Sequence, residues 1–198
     1  MEQLLQQIIN GISLGSIYAL IALGYTMVYG IIRLINFAHG EIYMLGAYIG
    51  YFCMSTLKLG FLPSLLISMI VCTVIGMAIE KIAYKPLRNS PRIAVLITAI
   101  GVSLFIQYTT MFFVGAGVRT YPELTGIMTK RFQIGNLLIS MQQVIIVITT
   151  VVLMTLLQFI VKKTRIGKAM RAVSMDKDAA QLMGINVDTT ISFTFLLG

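Results

Sequence analysis

Long uncharged runs separated by short charged gaps set the pattern of this chain. Ile8 to Ile32, Leu59 to Ile79, Ile93 to Val118 and Phe132 to Val161 contain no Asp, Glu, Lys or Arg. A helix rises about 1.5 Å per residue and the hydrocarbon core of a bilayer is about 30 Å thick, so roughly 20 such residues suffice to cross. The four runs therefore predict membrane-crossing helices. The last opens on Gln133, Gly135, Asn136, Ser140, Gln142 and Gln143, which moves its crossing part to about Met141 and leaves the earlier residues at the surface. Ile42 to Leu57 is short for a full crossing, and Ile191 to Gly198 begins a further apolar run in which the sequence stops. The sequence reads as an incomplete copy of a longer one. The expected fold is all-α: one polytopic transmembrane helical bundle over 1–198, incomplete at the C-terminus. Its spans fall near 8–32, 42–57, 59–79, 93–118 and 141–161, another starts at 191, and a cytoplasmic loop covers 162–190.

Composition agrees with a bilayer setting, since 58% of the 198 residues are apolar and only 11% charged, against about a quarter charged in soluble domains. The net charge of +8 would point to nucleic acid in a soluble protein. Here the cations sit between apolar runs, the pattern that orients membrane proteins. Lys81, Lys85, Arg88 and Arg92 form one cluster, and Lys162, Lys163, Arg165, Lys168, Arg171 and Lys177 another; both loops are expected in the cytoplasm, with Arg119 to Arg131 facing outward. Leu59 to Ile79 then runs inward, while the polarity of the first two segments stays open. Glu2 and the spanning length of the first run argue against a cleavable signal. Cys53 and Cys72 lie inside apolar runs and read as packing residues, so neither a disulfide framework nor a zinc site is expected.

Asn36-Phe37-Ala38-His39-Gly40-Glu41 interrupts two apolar stretches and holds the sole histidine. Ahead of a run too short to span, it fits a discontinuous helix near residues 36–41, of the kind that leaves backbone groups free to line a polar path. Glu41 would then begin the second half-helix, favoured by the dipole. An ordinary hydrated loop carrying Arg33, His39 and Glu41 is the alternative. No second His or Cys stands at ligand spacing, so no metal site is expected. Gly11 and Gly15, and again Gly46 and Gly50, give the four-residue small-residue spacing that lets helices approach closely within one chain.

Between Gly167 and Asp188 the pattern predicts a nine-residue helix near Met175 to Met183. Ser174 is its expected cap, Asp176 and Asp178 lie in its first turn, and Gly184 ends it. Met175, Ala179, Leu182 and Met183 share a face. A face of Ala and Met suits a compact protein contact better than a membrane surface. The chain carries no G-x-x-x-x-G-K-[ST] or H-E-x-x-H motif, so phosphate cradling by the first and metal-assisted hydrolysis by the second are not expected of it.

Asn10 to Gly30, Asn36 to Glu41, Gly46-Ala47-Tyr48, and Arg171-Ala172-Val173 through Leu182 to Asp188 together resemble bacterial branched-chain amino-acid ABC transporter permeases. The similarity runs from about residue 3 to the last residue. It implies an all-helical, multi-pass inner-membrane permease that is not itself an enzyme and needs no cofactor. The implied partners are a second related permease, two cytoplasmic ATPases, a periplasmic or lipid-anchored substrate-binding protein and the bilayer, with no nucleic acid. It further implies that Asn36, His39, Gly40 and Glu41 border the solute path. Arg171, Ser174, Asp176, Ala179, Ala180, Leu182, Met183 and Gly184 would form the ATPase-coupling segment. Uptake of leucine, isoleucine and valine is the expected activity. Permeases for urea or short amides look similar and stay open as an alternative, as does a passive channel. An intramembrane enzyme would need paired acids or a second His.

Overall fold

A computed structural model describes residues 2–32, 35–88, 90–122, 131–134 and 137–198. Helix α1 (Glu2–Ile32) is followed by α2 (His39–Ser55) and α3 (Phe61–Ile79). The last of these continues through a π-helical turn, Glu80–Tyr84, and a 3₁₀ turn, Lys85–Leu87. Then come α4 (Arg92–Val114), an antiparallel hairpin of β1 (Arg131–Ile134) and β2 (Leu137–Ser140), and α5 (Met141–Lys163). Three shorter helices complete the described chain: α6 (Arg165–Met175), α7 (Lys177–Leu182) and α8 (Val187–Leu197). Four helical stretches, Gln3–Ile31, Phe61–Leu87, Ile93–Val114 and Met141–Lys163, are long and apolar enough to cross a membrane. The fold is that of an all-α, polytopic membrane protein. Most of the predicted outward loop, 123–130, lies outside the described residues, as does Arg33.

Local chemistry sets the ends of these elements. Ser140 and Gln143 form a reciprocal capping box that starts α5 where the apolar run begins. Gly115, at φ +89, closes α4. One end of the bundle collects the basic loops, because Arg88 and Lys85 both pair with Asp188 at the start of α8. At the other end, Gln6 bonds to Leu138 of the hairpin and Gln143 donates to Asn10 at 2.9 Å. Helix α1 therefore runs parallel to α5, from the hairpin end, outer on the expected cytoplasmic placement of the basic loops, to the inner end that those loops occupy.

The small-residue spacing works on α2 but not on α1. A Cβ on Gly46 would sit 3.0 Å from Cys72 Sγ, and one on Gly50 would sit 3.1 Å from the Tyr121 hydroxyl. Around Gly46 the Ser68 hydroxyl donates to the Gly46 carbonyl at 2.7 Å, tying α3 to α2. Gly11 and Gly15 face open space. The principal buried cluster lies at the inner end, where Val28 and Ile31 of α1 and Val95 of α4 meet Met170 and Val173 of α6 and Ile191 of α8.

Two expectations for residues 162–190 are corrected. Residues 165–175 are themselves a helix, α6, so Ser174 lies within it, its hydroxyl donating to the Arg171 carbonyl at 2.7 Å. The cap of the following helix is Asp176, whose side chain accepts from the Asp178 and Ala179 amides. The expected nine-residue helix is consequently the six-residue α7.

Candidate functional site

The polar break is built around Asn36, which is 4% exposed. Its carbonyl accepts from the His39 amide at 3.1 Å, and Oδ1 accepts from the Ala38 amide at 3.1 Å. That Asx-type turn stops the chain and starts α2. Oδ1 also accepts from the Tyr84 hydroxyl at 2.8 Å, which anchors the turn to the inner end of α3.

His39, the first residue of α2, lies edge-on to Tyr25, ring centroids 4.9 Å apart. A Cβ on Gly24 would fall 2.7 Å from His39 Cε1, so α1 must carry glycine there for the ring to dock. Gly24 is eight residues, about 12 Å, from the inner end of α1. Helix α2 thus begins well inside the bundle. Glu41, in the first turn, accepts from the Ser103 hydroxyl of α4 at 3.3 Å. Gly40 has nothing within 4 Å of where a Cβ would sit. The structure thereby gathers Asn36, His39 and Glu41 against α3, α1 and α4 respectively, and leaves Gly40 uncrowded.

Two cavities meet at His39. One of about 590 Å³ lies between α1, α2, α3 and α5 and reaches Gly50, Phe61 and Tyr121 toward the outer side. The other, about 480 Å³, reaches Val28, Asn36 and Phe195 toward the inner side. Leu20, His39, Ile42, Met69, Cys72 and Leu153 line both. This junction is mostly apolar, with one imidazole and one thiol. Sequence reasoning missed the contributions of Leu20, Met69 and Leu153, which look like any other apolar span residue.

The second group of candidates surrounds α7. Leu182 and Met183 are 88% and 83% exposed, and Ala179 and Met175 are exposed beside them. Ala180 points the other way, 4% exposed within the inner buried cluster. Gly184 takes φ +81 and ends the segment. Arg171 donates to the Val161 carbonyl at 2.6 Å, closing the corner between α5 and α6. Asp176, Ala179, Leu182 and Met183 thus lie together on α7 and at its ends, whereas Arg171 and Ser174 belong to α6 and Ala180 turns into the buried cluster. Among the described residues no group of three or more His, Cys, Asp or Glu is placed to hold a metal ion.

The family model described as branched-chain amino acid transport system / permease component matches residues 7–198. The chain belongs to this permease family. It is 39% identical to the high-affinity branched-chain amino acid transport system permease protein BraD of Pseudomonas aeruginosa, over 98% of this chain and 66% of that protein. To LivH of Salmonella typhimurium, which carries the same description, it is 41% identical with the same coverage. A probable branched-chain amino acid transport permease protein LivH of Methanocaldococcus jannaschii is 30% identical over 92% of this chain and 58% of its own length. No solved structure matches the chain. The chain spans 66% of the length of its bacterial relatives, and both parts of this permease's candidate site lie within the matched residues.

Proposed function

We propose that this chain is the membrane-spanning permease subunit of an ATP-binding-cassette importer that carries branched-chain amino acids across the bacterial inner membrane. The observation that carries the reading is identity near 40% over 98% of the chain to permeases named for that transport. The apolar junction of the two cavities supports leucine, isoleucine and valine over urea, which offers no aliphatic group to bury. A second permease, two cytoplasmic ATPases and a binding protein that delivers solute complete the assembly, because the chain carries no phosphate-cradling motif of its own.

In this mechanism the permease makes and breaks no covalent bond. Asn36, His39, Gly40 and Glu41 border the solute path, with His39 at the constriction between an outward and an inward cavity. ATP-driven motion enters through Ala179, Leu182 and Met183, which seat against an ATPase groove, and alternately opens the two cavities. Vesicles bearing the assembled transporter and supplied with ATP, binding protein and labelled leucine or urea test the reading. Leucine accumulates and urea does not. Accumulation of urea without leucine overturns the substrate assignment, and uptake of either without ATP overturns the importer. Cysteines placed singly at Asn36, His39 and Glu41 react with aqueous thiol reagents to an extent that changes with nucleotide; unchanging reactivity from the cytoplasmic side returns the segment to a hydrated loop.

A further inference from the structure

We propose that Arg88 is a positioning residue for the polar break, acting through the π-helical turn at the inner end of α3. Glu80 opens that turn and is 2% exposed, although it is an acid beside an apolar span. Its carboxylate is shared between two elements. One oxygen pairs with Arg88 Nη2, and the other accepts from the Ser192 hydroxyl of α8 at 2.9 Å. The second terminal nitrogen of Arg88 pairs with Asp188 in the first turn of α8, which Lys85 also approaches at 3.5 Å. A planar guanidinium fork can hold two carboxylates at a fixed separation, which a single ammonium cannot.

Tyr84 closes the same turn, and its hydroxyl is the donor to Asn36 Oδ1. One five-residue turn therefore bears the ionic link to the cytoplasmic loop at its first residue and the hydrogen bond to the polar break at its last. Such turns hold an extra residue, are confined to single turns and recur at functional sites. The route from α7 is short, since Gly184 ends it, Asn186 caps α8 and Asp188 follows in the first turn. Because α8 also carries Ser192, its movement displaces both partners of the latch together. Burying this acid for stability alone gains little, as apolar residues of similar volume do as well. The arrangement fits a linkage that sets where Asn36 stands according to where α7 stands.

This inference rests on the transport reading, and the experiment separates the two. ATP hydrolysis and solute uptake are measured together in vesicles holding the full-length permease assembled with its partners, as wild type and as Asp188→Asn, Arg88→Lys and Tyr84→Phe. Asp188 is exposed and Tyr84→Phe keeps the ring that stacks on Phe195, so the outcome does not hinge on a folding defect at Glu80. Each variant is expected to retain its ATPase subunits and an unchanged KM for solute while hydrolysing about tenfold more ATP per solute moved, within the usual range for coupling between sites. The double variant Asp188→Asn with Tyr84→Phe should add nothing to either single one, since both cut one linkage. An unchanged ratio in all three single variants, with wild type transporting, overturns the positioning role and leaves the transport reading standing. Absence of ATP-dependent uptake in wild type overturns that reading, and this inference with it.

Discussion

The two segments that carry the proposed function, the break at residues 36–41 and the helix α7, are both short and polar-flanked, yet they are held in opposite ways. Asn36, His39 and Glu41 each meet a different helix, α3, α1 and α4. Among the described residues no buried side-chain nitrogen or oxygen lacks a hydrogen-bond partner. Helix α7 is held by its Asp176 cap and by the buried Ala180, and turns Leu182 and Met183 outward. A segment fixed from three sides changes state only when its neighbours do. A segment fixed at one face is free to take a partner on the other. The first is therefore sensitive to steric fit and the second to the sign of a surface charge.

The largest effect is expected where α7 itself has two faces. Ala180→Asp buries an unpaired carboxylate in the inner cluster, at a cost of several kcal/mol, and should sharply lower the amount of permease in the membrane. Ala179→Asp, one residue away, puts the same charge on the exposed face in the first turn of a helix, where an acid is tolerated. Quantitative membrane blots and ATPase co-purification should show it at wild-type level but without its ATPase. Equal membrane levels for both variants would mean that α7 does not hold the face assigned to it.

At the break, steric fit is tested by Gly24→Leu, whose Cβ alone would lie 2.7 Å from His39 Cε1 and 2.9 Å from the Gly198 carbonyl oxygen. Overpacking of this kind costs about 1–3 kcal/mol. Helix α2 must then shift, and leucine uptake should be lost while α7 still binds its ATPase. Asn36→Ala ranks next. It removes the acceptor of two hydrogen bonds and leaves the buried Tyr84 hydroxyl without a partner, a loss of about 1–3 kcal/mol. Thermal unfolding of the purified permease should fall for Asn36→Ala and recover in part when Tyr84→Phe is added. Failure of the second change to restore any stability would place the hydroxyl's partner elsewhere.

How far the sequence reaches differs between the same two segments. The crossing helices follow from uncharged run length, and the start of α5 at Met141 from the polar residues before it. The break was visible too, because polar residues next to a short apolar run are rare in a membrane chain. Its partners were not: Tyr84, Ser103 and Gly24 are brought to it by packing between helices, which spacing along one helix does not encode. At α7 a purely local signal misled. Ser174 and Asp176 can each cap a helix, and Asp176 prevails because Gly167, Met170 and Val173, three residues apart and all buried, carry α6 through Ser174. That three-residue repeat was present in the sequence, masked by Lys168 and Arg171, which read as loop cations. Glu80 follows directly on the uncharged run that ends at Ile79. Its burial depends on Arg88 and Ser192, and the second of these comes from α8.

Gly40 gives the smallest expected effect and the finest test of the path. It sits in the first turn of α2 with no atom within 4 Å of a Cβ position and without a positive φ. Neither crowding nor backbone geometry therefore requires glycine. In a helix, alanine is favoured over glycine by about 0.5–1 kcal/mol, so Gly40→Ala should raise the unfolding temperature slightly. If Gly40 only borders the path, a methyl group leaves leucine uptake within about twofold of wild type, since unstrained exposed substitutions change stability by less than about 0.5–1 kcal/mol in either direction. Gly40→Val extends the same vector without adding charge. A graded fall in uptake from Gly40 to Ala to Val, at constant membrane level, would mean that solute passes against this residue. Wild-type uptake by both variants would remove Gly40 from the path and leave Asn36, His39 and Glu41 as the residues of the break that border it.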